Sequence, residues 1–480
     1  MGSTTFSTAG TLSPLSPAAL DAAIRARDGL PLVRARAERA ARGAALGLRV
    51  AYVGGSVTAQ RDGWRPAFHA WLERALPAPL GHDMKCAAIG NCGSKVLAFV
   101  LNDWVLPDER PPDLVLIETA INDGDALLES GGDETSIRRA LEGLVRGVRL
   151  TAPTAELLLV VSHLRTDLPQ ARRSGTLAWV NGDVAGAERV YSESVPAIHE
   201  QVASHYGIPS VNITRALRGL PPTTLDALFR DDCHTTPAGA AVVASIVAAC
   251  VQKSIAAAAA RPPLPPPLDP LHWAGGRAHH IARSDLHLAT DAAGAPLHTS
   301  QFWDVDPLTG ARGQWWLLAP EGDDALVINF AGTSLALLTH VGPDAGVVRC
   351  KVTPACGGAP IVSRHVLFDQ WAYYYRLSVV VLAEGLNPGQ YQARVNLEQE
   401  PPDRSIAKRE LQPAVAGPLR LWLMHALVLN SAAYAGNTLT AQAHADSRAA
   451  AAEQPDAERV VASQRQPAAA CIATNSMVAC

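Results

Sequence analysis

No uninterrupted apolar run in this 480-residue sequence reaches the length of a membrane span. The best attempt, LRLWLMHALVLN at 419–430, is short and contains Arg420 and His425, so a buried strand or helix is expected there. A surplus of one charge is missing as well. Lys and Arg number 41 against 45 Asp and Glu, and the formal charge of −4 offers neither the basic face of a nucleic-acid binder nor a polybasic membrane anchor. The eight cysteines (Cys86, Cys92, Cys233, Cys250, Cys350, Cys356, Cys471, Cys480) form no C-x-x-C pair, and no Cys/His spacing resembles a zinc site. Cys350 and Cys356 could bridge a loop in an oxidising compartment, but free buried thiols are expected for most of the set. The opening MGSTTFSTAGTLSPLSP has neither the basic start nor the apolar core of a secretory signal, and Phe6 stands where a myristoylation signal needs Ser or Thr. Cytoplasmic residence is the default expectation, with export by a non-classical route left open.

What is present is globular composition, 48% hydrophobic and 18% charged, in a chain long enough for two sizeable cores. The clearest boundary is RPPLPPPLDP at 261–270, whose prolines remove backbone donors and favour an extended, semi-rigid spacer. Before it, strand-like runs (LRVAYV at 48–53, KCAAI at 85–89, DLVLIETA at 113–120, ELLLVVSHL at 156–164, PSVNIT at 209–214) alternate with helical patterns such as WRPAFHAWLERAL and SIRRALEGLVRGVRL. Continuous apolar strands alternating with helices predict a parallel sheet covered on both faces. TPAGAAVVASIVAACVQ at 236–252 closes this region as a helix, with Pro237 suited to its first turn. Between about 300 and 400, short runs separated by turn signals predict an all-β sandwich, jelly-roll-like in character. The expected divisions are an N-terminal extension (1–29), an α/β domain (30–258), a Pro-rich linker (259–272), a β-sandwich domain (273–435) and a tail without fixed structure (436–480).

The first chemistry-bearing stretch is AYVGGSVTAQ at 51–60, an apolar strand breaking at Gly54-Gly55-Ser56. A phosphate-binding turn needs a lysine or a third glycine that this stretch lacks. A hydrolase elbow of the Gly-x-Ser-x-Gly type is not matched either, because Thr58 occupies its last position. The balance shifts with FRDDCHTTPAGAA at 229–241, where Asp231 and His234 lie three apart on a polar loop. A carboxylate at that spacing can orient an imidazole whose other nitrogen takes a proton from a serine, with Asp232 as a competing partner. In PDLVLIETAINDGD a buried strand runs into Asn122, whose amide can donate to an oxyanion beside the amide of Ser56. CAAIGNCGSK at 86–95 adds a second glycine-containing turn that could present another backbone donor.

These four stretches, in this order, resemble the SGNH hydrolases, the GDSL-like serine esterase superfamily, in the branch whose first block reads Gly-Gly-Ser. The resemblance covers about residues 30–255 and implies a three-layer, flavodoxin-like α/β fold. It implies Ser56 as nucleophile, His234 as general base and Asp231 as its orienting carboxylate, with no metal and no organic cofactor. The oxyanion hole it implies combines Ser56, Asn122 and an amide of the 90–93 turn. There the sequence departs from the pattern: alignment of the block's tail favours Asn91, and counting from the strand favours Gly93. His163, in VVSHLR, is a candidate for lining the substrate cleft.

The region containing FAGTSLALLTHVGPDAGVVRCKV and LFDQWAYYYRLSVVVLAEGLNPGQYQARV resembles the β-sandwich modules attached to polysaccharide-acting esterases of this superfamily. Trp371 and Tyr373, with Tyr374, Tyr375 and Arg376, are candidates for stacking on sugar rings, weighed against an ordinary sandwich core. The expected function is a serine esterase removing acyl groups, acetyl foremost, from a carbohydrate. Hydrolysis of a lipid or thioester, acyl transfer, and a non-catalytic carbohydrate-binding protein are the alternatives.

Overall fold

The computed structural model describes residues 15–42, 47–76, 81–101, 105–106, 110–129, 133–162, 164–165, 184–257, 262–274, 277–280, 286–287, 299–300, 315–318, 325–369, 372–373, 376–407, 419 and 421–429. The tail call at 436–480 and the candidates His163 and Trp371 lie outside these residues.

The N-terminal half is a six-stranded sheet in the order β1-β6-β5-β4-β2-β3. Its strands are β1 (Ile24–Arg25), β2 (Arg49–Gly54), β3 (Asp83–Ala88), β4 (Leu114–Glu118), β5 (Glu156–Val161) and β6 (Ser210–Asn212). All pairings are parallel except that of β1, which runs antiparallel to β6 from within the stretch expected as an extension. Alternate residues of the central strands feed two cores. Val50, Tyr52, Leu114, Leu116, Leu158 and Val160 face a layer containing α4 (Trp64–Ala75) and the Pro237–Ala256 helix. Ala51, Val53, Val115, Ile117, Leu157 and Leu159 face α5 (Ser94–Val100) and α7 (Glu134–Thr151). Both faces being covered explains why these strands read as unbroken apolar runs.

The Pro237–Ala256 helix, expected over 236–252, runs four residues further. Its 20 residues, of mean hydropathy 1.6 over the most apolar window, meet the length and composition of a span. That window is 61% buried within the protein, and Val243, Ile246, Val247 and Val251 pack in the first core. A buried helix is apolar on most of its circumference for the same reason a spanning one is.

The strands that follow are β7 (Arg277–His280), β8 (Leu286–His287), β9 (Thr299–Ser300), β10 (Trp315–Leu318), β11 (Ala325–Gly332), β12 (Ser334–Val341), β13 (Val347–Pro354), β14 (Ile361–Val366), β15 (Arg376–Ala383), β16 (Gly389–Leu397) and β17 (Leu421–Leu429). They build two antiparallel sheets, one ordered β15-β12-β17-β10-β9 with β7 on β17, the other β14-β13-β16-β11-β8. LRLWLMHALVLN is therefore largely the strand β17. Strands β11 (Ala325–Gly332), β13 (Val347–Pro354) and β16 (Gly389–Leu397) alternate buried and exposed residues, and their inner faces share a core with β12 (Ser334–Val341). Cys350 lies in that core and is free, as is the exposed Cys356. Strand β12 does not alternate because both its faces are covered. Leu335 and Leu337 face the sandwich core, while Ala336 and Leu338 pack with α5 and Trp273.

The Pro-rich segment is strapped down along its length. Arg146 donates to the Pro265 carbonyl at 2.8 Å, and His205 Nε2 lies 2.7 Å from the Pro266 carbonyl. The amides of Leu268 and Asp269 donate to the Glu142 carboxylate, and Arg139 pairs with Asp269 at 2.8 Å. Prolines leave carbonyls unmatched by local donors, and the helices beneath supply them.

Candidate active site

Register places the first three turns side by side. Gly54 at the end of β2 pairs with Ala88 at the end of β3 and with Glu118 at the end of β4. The chain therefore leaves three adjacent strands at one level of the sheet's carboxyl edge, where α/β sites form. Ser56 opens the short helix α3 (Ser56–Ala59), Asn91 and Gly93 lie in the turn after β3, and Asn122 sits in the first turn of α6 (Ala120–Glu129). Asn122 was expected at a strand end; the strand stops at Glu118 and the helix begins two residues later.

Gly54 and Gly55 serve this turn through close approach. Neither adopts positive φ. A methyl group on Gly55 would stand 1.9 Å from Asn122 Oδ1, and one on Gly54 2.3 Å from the Glu118 carbonyl oxygen. The side chain of Asn122 thus lies directly against the residue preceding Ser56. In the neighbouring turn Asn91 is left-handed, φ 64°, a conformation Asn tolerates better than most residues. A methyl on Gly90 would be 3.9 Å from Ser56 Cβ, so this turn faces the serine. Gly93 is hemmed in by α6, where a methyl would meet Asp123 Oδ1 at 2.6 Å.

The loop carrying Asp231 and His234 reaches the same edge through three tethers. Gln60 Nε2, just past α3, donates to the Thr235 carbonyl at 2.9 Å. Arg230 forks onto both Asp62 oxygens at 2.8 and 2.9 Å, and the Arg165 amide donates to the Asp232 carbonyl at 2.7 Å. Within the loop, His234 Nδ1 lies 2.9 Å from Asp231 Oδ2 and 3.1 Å from Oδ1, while the amides of Cys233 and His234 donate to Oδ1. Burial alone would raise the Asp231 carboxyl, but these bonds from the ring and the amides outweigh it and hold it below its usual range. His234 is therefore oriented through Nδ1 by Asp231 rather than by Asp232, leaving Nε2 without a hydrogen bond among the described residues. Ser56 Oγ is likewise without a hydrogen bond among the described residues.

Three groups beneath this surface had no signal in the sequence reading. The Glu118 carboxylate, 2% exposed, accepts from Thr58 Oγ1 at 2.8 Å and from Ser162, and its burial raises it to about 7. Asp123 accepts from the Ser94 amide and hydroxyl, each at 2.7 Å, and from Thr119 Oγ1 at 2.8 Å. His199 Nε2 lies 2.9 Å from the same carboxylate. This buried network locks the start of α5 to α6, on either side of the 90–93 turn. Thr58 and Asp123 sit inside GGSVT and AIND, so proximity to those motifs could have flagged them; His199 lies on a helix far away in sequence. Asp231, Cys233 and His234 also form a group whose possible metal-ligand atoms all lie within 4.8 Å of one another. Of the substrate-lining candidates, Tyr373 is half-buried in a turn of the β region.

The doubly covered sheet carries the Ser56 turn and the Asp231–His234 pair at its carboxyl edge. Residues 52–242 match the GDSL-like Lipase/Acylhydrolase family, and this part of the chain is a GDSL-like acylhydrolase domain, which makes the protein a carboxylic ester hydrolase. Two crystal structures of a two-domain esterase (CEX) active on acetylated mannans, one co-crystallized with mannopentaose, align over 86% of this chain and 98% of theirs. Their TM-scores are 0.60 and 0.61 at 19% identity, a likeness of fold that extends through the β sheets. No curated protein matches the sequence.

Proposed function

We propose that the protein is a serine esterase that removes acetyl groups from a polysaccharide through Ser56, His234 and Asp231. The observation that carries this reading is the Asp231–His234 pair, closed at 2.9 Å on a loop tethered to the Ser56 turn by Gln60. In this mechanism His234 Nε2 takes the proton of Ser56 as Oγ attacks the ester carbonyl, then returns it to the leaving sugar hydroxyl. Asp231, kept ionised, stabilises the imidazolium formed between these steps. The developing oxyanion is met by the Ser56 amide, the Asn122 side-chain amide and an amide of the 90–93 turn. Between the two candidates, Asn91 is favoured: its left-handed backbone re-aims the chain, whereas Gly93 is packed against α6. Water then attacks the acyl-enzyme by the same route.

Similarity in fold to an esterase active on acetylated mannans supports a mannan-type substrate. The test is acetate release from acetylated glucomannan and acetylated xylan by the wild type and by Ser56→Ala, alongside p-nitrophenyl acetate and octanoate. Equal acetate release by the two proteins would refute the nucleophile. Preference for octanoate with no release from either polysaccharide would move the substrate to lipids.

A further inference from the structure

The loop between Asp231 and His234 holds a group that ester hydrolysis does not use. Cys233 Sγ lies 3.4 Å from His234 Nδ1, the same nitrogen that Asp231 Oδ2 approaches at 2.9 Å. Two ligands on one tetrahedral zinc, with bonds of about 2.0–2.3 Å, stand roughly 3.3–3.7 Å apart. The sulfur–nitrogen spacing already falls in that range, and all three ligand atoms lie within 4.8 Å of one another. Rotation of the Asp231 and Cys233 side chains supplies the remaining adjustment. Burial first, and then the negative charge of the Asp232, Asp231 and Asp125 carboxylates, keeps the Cys233 thiol protonated in the absence of an ion, and that same charge favours a cation beside it. Asp125 is itself fixed by Tyr191 Oη at 2.6 Å. A thiolate, an imidazole and a carboxylate together select zinc-class ions over magnesium or calcium. Scanning for C-x-x-C or Cys/His spacings misses this set, since its ligands fall within four consecutive residues, Asp231 to His234.

We propose that Asp231, Cys233 and His234 form an inhibitory site for a zinc-class divalent cation. The inhibitory consequence rests on the catalytic reading of His234 above; the binding does not. On binding, the hydrated ion exchanges water for the three ligands. The Cys233 thiol releases its proton to solvent, and Asp231 exchanges its hydrogen bond to the ring for a bond to the metal. The proton on His234 Nδ1 is replaced by one on Nε2, so one proton is released per ion and no oxidation state changes. With metal on Nδ1 and a proton on Nε2, the imidazole has no lone pair left for Ser56. A zinc-class ion would therefore switch the esterase off by holding it in the wrong tautomer.

The test uses the full-length, metal-free protein. Cd2+ serves as the binding probe, read by thiolate-to-metal charge-transfer absorption and by proton release, and Zn2+ is titrated into the p-nitrophenyl acetate assay. In the wild type one Cys233-dependent equivalent of Cd2+ should bind with release of one proton, and Ser56→Ala should retain that band. Cys233→Ser and Cys233→Ala should both lose it. For each variant, relative to its own metal-free rate, the half-inhibitory Zn2+ concentration should rise at least tenfold, and a chelator should restore the wild-type rate. A band that survives in both Cys233 variants places the thiolate elsewhere, for example at the exposed Cys86 or Cys356, and overturns the site. Absence of any band in the wild type overturns it equally. A Cys233-dependent band in a protein whose Ser56→Ala variant hydrolyses ester at the wild-type rate retains the metal site and removes its inhibitory role.

Discussion

Replacing Glu118 by Gln should change how stability depends on pH. Glu118 is 2% exposed, and burial moves its carboxyl from 4.5 to about 7, against the opposing pull of hydrogen bonds from Thr58 and Ser162. Asp123 pushes it further up and His234 pulls it down. The folded state therefore holds this proton more tightly than the unfolded chain does. Its stabilising contribution is fully present below about pH 4.5, falls as pH rises toward 7, and is lost above. Moving one carboxyl over that interval corresponds to about 3 kcal/mol. Glutamine does not titrate, its carbonyl can keep the Thr58 bond, and its amide can donate to Ser162. Urea unfolding of wild type and Glu118→Gln at pH 4.5 and pH 8 measures the effect. The wild type should lose about 3 kcal/mol relative to the variant between those pH values. Glu156, also raised to about 7 by burial, is common to both proteins and cancels in the difference. Parallel stability profiles would refute the argument, since they would mean that Glu118 is solvated or compensated in the folded state.

Asn122→Ala should lower kcat by roughly a hundredfold or more, with KM little changed, because a lost oxyanion donor costs about 3 kcal/mol in the transition state alone; steady-state kinetics on p-nitrophenyl acetate would show it. Gly55→Ala places a methyl 1.9 Å from Asn122 Oδ1 and should reduce kcat with only modest loss of stability, read by kinetics and thermal melting together. Phe99→Ala, which removes a ring tilted against Trp273 at 5.2 Å between centroids, should cost about 3–5 kcal/mol in urea unfolding. A chain ending at residue 257 should be insoluble or molten, because it bares the α5 surface that Trp273, Ala336 and Leu338 cover; a soluble, cooperatively melting product would show that the sheet stands without its β partner.

Much of the architecture was legible because it rests on local rules. The strand ending in Gly54, the helix opened by Pro237 and the alternating strands β11, β13 and β16 follow from periodicity, capping and turn chemistry that neighbouring residues settle among themselves. The Asp231–His234 pairing was legible for the same reason, since only two loop residues separate the two. The edge strand β1 was not: two residues carry no period, and only β6 makes them a strand. Strand β12 lacked alternation because a second core behind it, contributed by a helix more than two hundred residues earlier, buries its other face.

The sequence by itself determined which residue types the chemistry has and the order in which the strands deliver them. Tertiary structure alone decided what surrounds them. Register across β3, β2 and β4 brings Asn91, Ser56 and Asn122 to one edge, and long-range packing buries Glu118, Asp123 and His199 beneath it. Apart from the Thr119–Asp123 bond, those contacts join residues from separate strands and helices, far apart along the chain. That is why four short stretches in order could point to the serine, while the buried groups that support its turn could not be placed from the chain alone.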